Sequence, residues 1–211
     1  RELWDACAEF GLQGLLVPEE YNGAGQDLLS AVAVLEGVGY GARDNGLVFS
    51  VAAHAASYEG PLAAFGSEEQ KDEWLPRLAD GSVIGATGVT EPDSGSDAAN
   101  MRTTAKQQPG GDWVLNGEKQ FISNAGFADL SIIFAKIDGR HFTAFIVPMD
   151  APGVSMGAEE KKMGIRGSST CSLIFQDVKV PAENLLGKVG DAADIALNIL
   201  YAGRMKLGFA C

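Results

Sequence analysis

The sequence predicts a multidomain α+β chain with a helical N-terminal region, a strand-rich middle and a return to helix at the end. Three observations carry that prediction. Apolar residues recur at helical spacing through residues 1–81. Short β-branched and aromatic runs, separated by turn residues, fill residues 82–187. Helical spacing resumes after Pro181, from about Asp191, with Ile195, Ile199, Ala202, Met205 and Phe209 on one face. The expected domains are therefore 1–81, 82–187 and 188–211.

In order along the chain, Leu3, Trp4, Cys7, Ala8 and Phe10 mark a first helix. Residues 11–25 read as a loop, with Pro18 and the Asn22-Gly23 turn signal. Residues 28–40 form a second helix and residues 47–65 one or two more. Ser67 is the expected N-cap of the next helix. Glu68 and Glu69 lie in its first turn, and Gln70 is placed to complete a capping box. That helix ends near Ala79, before Asp80-Gly81. In the middle region, Trp113-Val114-Leu115, Phe121-Ile122 and residues 130–137, 142–147 and 172–180 are strand-like. Asn116-Gly117 reads as a type I′ hairpin turn. Several short strands at this spacing suggest a barrel or a sandwich.

Composition narrows the function classes. Sixteen Lys and Arg against 28 Asp and Glu give a formal net charge of −12 over 211 residues. That balance argues against a nucleic-acid surface or an anionic membrane as partner, while leaving room for a local basic pocket. Cys7, Cys171 and Cys211 are widely spaced and form no CxxC pair, so no disulfide framework or zinc site follows. His54 and His141 are too few for a multi-histidine metal centre. The thiols fit a reducing compartment, cytoplasmic or, in a eukaryote, the mitochondrial matrix. No apolar run reaches the roughly 18 residues of a membrane span, and no signal peptide is visible. The chain starts mid-pattern at Arg1 and stops inside an apolar helical run, so both ends read as cut.

Three stretches could carry chemistry. Residues 87–97, Thr-Gly-Val-Thr-Glu-Pro-Asp-Ser-Gly-Ser-Asp, read as a strand running into a loop dense in hydroxyls. Gly95 allows close backbone approach, and Thr90, Ser94 and Ser96 offer hydroxyls that could meet an anionic group. A capped turn leaving a strand is the plainer reading of the same residues. Residues 116–124, Asn-Gly-Glu-Lys-Gln-Phe-Ile-Ser-Asn, place Phe121 and Ser123 on one face of a strand. An aromatic ring beside a hydroxyl suits a flat heteroaromatic cofactor, as it also suits an ordinary core strand. The third, residues 161–170, is a basic, glycine-containing loop that could meet a phosphate or simply be solvated.

Taken as an ordered series, the stretches say more. Thr-Glu-Pro-x-x-Gly-Ser-Asp, Gly-Glu-Lys-x-Phe-Ile-Ser-Asn, Lys-Met-Gly-x-Arg-x-Ser-x-Thr and Asp-Val-x-Val-Pro-x-Glu-Asn-Leu-Leu-Gly follow one another at residues 90–97, 117–124, 162–170 and 177–187. The series resembles the acyl-CoA dehydrogenase family. Upstream, residues 16–23 and 65–78 resemble it too, so the likeness covers essentially the whole chain.

The resemblance implies a helical N-terminal domain, a β-barrel middle domain and the first helix of a C-terminal helical bundle. It implies FAD as cofactor, with Val89 and Thr90 at the pyrimidine edge of the flavin. It places Gly95 and Ser96 by the cofactor phosphates and the thioester ligand, Phe121 against the isoalloxazine and Ser123 facing flavin N5, with Ile122 between them among the cofactor-binding residues. Phe121 and Ser123 stand where the family often has Trp and Thr. Ser96 and Arg204 are the substrate-side residues, Arg204 near the nucleotide part of the thioester. The implied reaction is α,β-dehydrogenation of an acyl thioester, either acyl-CoA or an acyl group on a carrier protein; a non-catalytic flavoprotein of the same fold is the alternative. A flavoprotein or oxygen would take the electrons, and a homotetramer or dimer would share the cofactor site.

No catalytic base is expected within these residues. The family places its catalytic Glu either deeper in the C-terminal helical domain or immediately before the arginine that Arg204 resembles, and that second position is Gly203. Glu91, before Pro92 at a strand end, reads as a structural member of its motif. His54 reads as a packed or capping residue, His141 as solvated, and Cys7 and Cys171 as packed thiols.

Overall fold

A computed structural model describes residues 1–43 and 45–210, leaving aside the side chains of Ala202 and residues 205–210. The expected inner-face positions of Ala202, Met205 and Phe209, and the thiol of Cys211, lie outside the described residues.

The helical region is built by its caps and a narrow apolar stripe. Helix α1 (Glu2–Glu9) buries Trp4 and Cys7. The Trp4 indole N–H donates to Gly81 O at 3.0 Å, which ties the chain start to the far end of the region. Leu3 and Phe10, expected on the inner face, are 67% and 83% exposed. Only the spacing of Trp4 and Cys7 meets the core. Helix α2 (Leu28–Gly41) is capped by Asp27, whose carboxylate accepts from Ser30 N–H at 2.7 Å.

Helix α3 (Gly46–His54) runs through a π-helical turn (Ala55–Glu59) into α4 (Gly60–Phe65). The widened turn brings positions five apart into register, so His54 Nε2 lies 3.1 Å from Glu59 Oε1. Helix α5 (Glu68–Ala79) opens on the expected capping box between Ser67 and Gln70. Cys7 and Cys171 are buried, and burial pushes both thiols up, as expected for inert packed cysteines.

The middle region is one mixed sheet. Its strands are β1 (Gly85–Gly88), β2 (Thr104–Gln107), β3 (Trp113–Ser123), β4 (Leu130–Ile137), β5 (His141–Pro148), β6 (Val154–Met156), β7 (Thr170–Val180) and β8 (Leu185–Leu186). The order is β6-β7-β3-β2-β4-β5-β8, with β1 pairing β4 in parallel. The barrel is therefore corrected to an open, curled sheet. Its end strands β6 and β8 are three and two residues long and each pairs on one side only.

The curl gives two cores. Leu115, Phe145, Leu173 and Val180 pack between the two halves of the sheet. Ile132, Phe134 and Ile146 on the outer face of β4 and β5 pack against Tyr58, Leu62, Leu75 and Leu78 of the helices.

Asn116-Gly117 is also corrected. It is not a hairpin turn but the interior of β3, and the β2–β3 turn lies at residues 108–112. The Asn116 side chain donates to and accepts from Asp177 across a bulge in β7, at 3.0 and 2.9 Å. A Cβ at Gly117 would meet Thr103 Oγ1 at 2.4 Å, so the glycine serves a close strand crossing.

Helix α6 (Ala192–Ala210) packs on α2, α3 and the π-turn. No second helix accompanies it after β8 among the described residues, so a bundle is not formed here. None of the helices is long and apolar enough to cross a membrane, among the described residues.

Candidate functional site

A cavity of about 570 Å³ opens between α3, the π-turn, the end of β1, the end of β3 and α6. That volume suits a small-molecule or cofactor site. Val89, Thr90, Gly95, Ser96, Phe121, Ile122, Ser123 and Arg204 all line it. Residues far apart in sequence, such as Val89 and Ser123, are brought together because β1 pairs β4 and β3 pairs the neighbouring β2, so β1 and β3 come into contact in the middle of the sheet. The basic loop at residues 161–170 is not brought to this cavity.

The two strand ends are shaped differently from ideal strands. β3 carries one extra residue between Lys119 and Ile122 relative to β7, a bulge at Gln120-Phe121. Phe121 sits there at φ 60°, a left-handed conformation that costs an aromatic residue about 1 kcal/mol or more. The bulge turns its ring outward, 56% exposed, while Ile122 remains in the sheet core at 2%. Phe121 and Ser123 thus share the cavity wall, as simple alternation predicts, but through a bulge that alternation does not show.

The hydroxyls divide into two groups. Thr87 Oγ1 donates to Ser57 O at 2.5 Å, and Ser94 Oγ donates to Asp97 O at 2.7 Å. Thr90, Ser96 and Ser123 line the cavity with hydroxyls that have no hydrogen-bond partner among the described residues. A Cβ at Gly95 would meet nothing within 4 Å, so the loop backbone there faces open space.

Beneath this rim lies a buried charge pair. Lys119 Nζ donates to Glu91 Oε1 at 2.7 Å and to Val89 O at 3.3 Å, with the two side chains 0% and 5% exposed. Glu91 also accepts from Arg102 N–H at 2.5 Å and Thr103 N–H at 3.0 Å. Burial pushes the Lys119 ammonium down to about 8, the facing carboxylate opposing the shift. Burial acts to raise Glu91, but bonds from Arg102 N–H, Lys119 and Thr103 outweigh it and hold the carboxyl below its ordinary range. A carboxylate so engaged is structural, in keeping with the reading of its motif.

Other predicted residues fall elsewhere. His54 is fully buried. It accepts from Gly85 N–H at Nδ1 (3.0 Å), and its Nε2 faces Glu59 and Leu78 O. His141 is exposed at the start of β5. Gly203 lies on the cavity wall, where an added Cβ would be 3.8 Å from Ala56 Cβ. Sequence reasoning missed the helical wall of Phe49, Ala52 and Ala53 on α3 and Ala56 on the π-turn, and the role of Lys119. The signal for the wall was present in the run of small residues at helical spacing. Nothing local marks Lys119, because its partner is 28 residues away.

Both halves of the chain match known protein families. Residues 1–82 match the profile of the acyl-CoA dehydrogenase N-terminal domain, and residues 86–178 that of the acyl-CoA dehydrogenase middle domain. This chain belongs to the acyl-CoA dehydrogenase family. It is 50% identical over 202 residues to a probable acyl-CoA dehydrogenase of Bacillus subtilis, covering 95% of this chain and 34% of that one. Its fold superposes with a TM-score of 0.94 on a crystal structure of an acyl-CoA dehydrogenase complexed with FAD from Bacillus anthracis. That protein is 48% identical, with 99% of this chain and 35% of the other covered. The prolyl acyl carrier protein oxidase AnaB superposes at 0.95 with 36% identity, over 99% of this chain and 57% of its own. The chain spans from about a third to just over half the length of these relatives.

Proposed function

We propose that this chain supplies the flavin-binding half of an FAD-dependent dehydrogenase of acyl thioesters. Val89 and Thr90 would meet the pyrimidine edge of the flavin and Gly95 and Ser96 its phosphates. Phe121 would pack on the isoalloxazine, Ile122 would back the site from the sheet core, and Ser123 would donate toward N5. Ser96 and Arg204 would face the thioester. The observation that carries this reading is the set of unspent hydroxyls. Thr90, Ser96 and Ser123 ring one cavity without internal partners while their neighbours Thr87 and Ser94 are satisfied. A partly exposed rim of this kind fits a polar-edged planar ligand, with the apolar alanines of α3 and the π-turn opposite. The solved relative complexed with FAD supports the cofactor assignment.

FAD, when bound, supplies the acceptor for the β hydride. This chain's own residues orient and enclose; the base that removes the α proton comes from outside these residues, since Gly203 has no side chain. A flavoprotein acceptor or oxygen would reoxidise the cofactor, and an oligomer of this chain's parent would complete the site. The test is direct. Purified full-length protein should carry flavin absorbance and release FAD on denaturation; a colourless protein that cannot be reconstituted contradicts the reading.

A second substrate class is favoured by one specific observation. The β4–β5 turn is tight, with Asp138 and Gly139 both at positive φ (51° and 67°), so little chain is available there to contact a nucleotide. A relative at 36% identity acts on a carrier protein by its name. Comparing flavin reduction by acyl-CoA and by acyl groups on a carrier protein separates the two.

A further inference from the structure

The loop that carries Gly95 and Ser96 is fastened by a single carboxylate. Glu91 Oε2 accepts from Arg102 N–H and Oε1 from Thr103 N–H, so one side chain holds both ends of residues 91–103. A reciprocal backbone pair between Glu91 and Ser94 tightens the near end, at 2.9 and 3.1 Å. Lys119 then ties this closed loop to β3. Its ammonium reaches Glu91 Oε1 and Val89 O, and the next residue, Gln120, donates its N–H to Thr90 O at 2.9 Å. Three consecutive residues, 89–91, are therefore held from residues 119 and 120, immediately before the Phe121 bulge.

The packing around the Lys119 stem is equally close. A Cβ at Gly88 would lie 3.0 Å from Lys119 Cγ and 2.8 Å from Ile133 Cδ1. A side chain at residue 88 would therefore crowd the Lys119 stem where it passes the end of β1.

A buried ion pair adds little net stability over an apolar pair of the same shape, because desolvation offsets the attraction. What such a pair does supply is geometry. We propose that Lys119 is a positioning residue for the flavin site. Clamped to Glu91, it fixes Val89 and Thr90 on one rim of the cavity at a set spacing from Phe121 and Ser123 on the other. The inference rests on the FAD reading above. Glu91 is the only titratable side chain set against the Lys119 ammonium among the described residues; Arg102 turns its guanidinium outward to Asp93 at 2.9 Å.

The test is FAD affinity of the full-length protein as a function of pH, read by flavin fluorescence and visible spectrum, for wild type, Glu91→Gln and Lys119→Arg. Loss of the ammonium charge loosens the clamp, so wild-type affinity should fall as pH rises through about 8, by up to about tenfold per pH unit. Glu91→Gln removes the charge that favours the ammonium, so its alkaline fall should move to lower pH by about one unit or more. Lys119→Arg keeps a cation at every accessible pH and should abolish the fall. A merely structural lysine would change affinity or folding without moving the pH profile in opposite directions in the two variants. Lys119→Met should weaken FAD binding at neutral pH. If that variant does not fold, the three profiles still decide. Identical profiles in all three proteins, or no alkaline fall in the wild type, overturn the inference while leaving a flavin-binding wild type intact. A wild type that binds no FAD overturns both readings together.

Discussion

Two glycine- and hydroxyl-rich loops look alike in this sequence and differ in what they do with their polar groups. The loop at residues 159–170 spends them internally. Ser168 bonds Ser50 at 2.9 Å, Ser169 bonds Glu159 at 2.5 Å, and the Lys162 ammonium is taken up by Ser168 O and Thr170 Oγ1. The loop at residues 90–103 spends only its framework groups. Glu91 and Ser94 close it, while Thr90 and Ser96 are left facing the cavity. A loop built to hold itself together satisfies its donors. A loop built to hold something else fixes its backbone with buried groups and leaves the rim donors open.

That contrast can be broken by mutation. The largest effect belongs to the buried pair. Lys119→Met leaves the Glu91 carboxylate without its partner at 5% exposure and should cost about 3–5 kcal/mol of folding stability, measured by denaturant unfolding. A loss under about 1 kcal/mol would show that the carboxylate finds other company.

Next comes the rim. Ser123→Ala should slow hydride transfer to flavin by roughly tenfold or more, seen in anaerobic stopped-flow reduction, with folding stability within about 0.5 kcal/mol of wild type. Ser169→Ala, on the self-satisfied loop, should do the reverse. It removes a bond to Glu159 and should cost about 1 kcal/mol of stability, leaving the reduction rate unchanged.

Smallest is an acid effect. Glu91 is held below its ordinary value, so its contribution is full above pH 4.5 and is lost as pH falls through the lower folded value. Glu91→Gln should flatten the acid side of the stability profile; an unaltered acid slope would mean that other carboxylates set it.

Much of this was legible in the sequence because it is local. The Ser67–Gln70 capping box, the helix ending near Ala79 and the strand at residues 130–137 follow from spacing and capping chemistry alone. The rim residues were legible as an ordered set of motifs, each weak alone. What could not be read is non-local. Asn116-Gly117 carries a hairpin signal, but Asp177 and Thr103 claim those residues from distant strands. Sheet closure depends on whether β6 and β8 meet, which no run of residues encodes. The outward turn of Phe121 depends on a bulge set by its register with β7, and Lys119 looks like any strand lysine until Glu91 is placed beside it.

The central claim is that the open hydroxyls mark the flavin site and the spent ones do not. Equilibrium FAD titration of the full-length protein tests it most directly, comparing a Thr90→Val/Ser123→Ala double variant with Ser169→Ala. Each lost bond to the cofactor is worth about 1 kcal/mol or more, so the double variant should bind FAD at least about 30-fold more weakly, with its unfolding midpoint in the apo form unchanged. Ser169→Ala should bind FAD as the wild type does. Wild-type affinity in the double variant, or an equal loss in Ser169→Ala, would contradict the account.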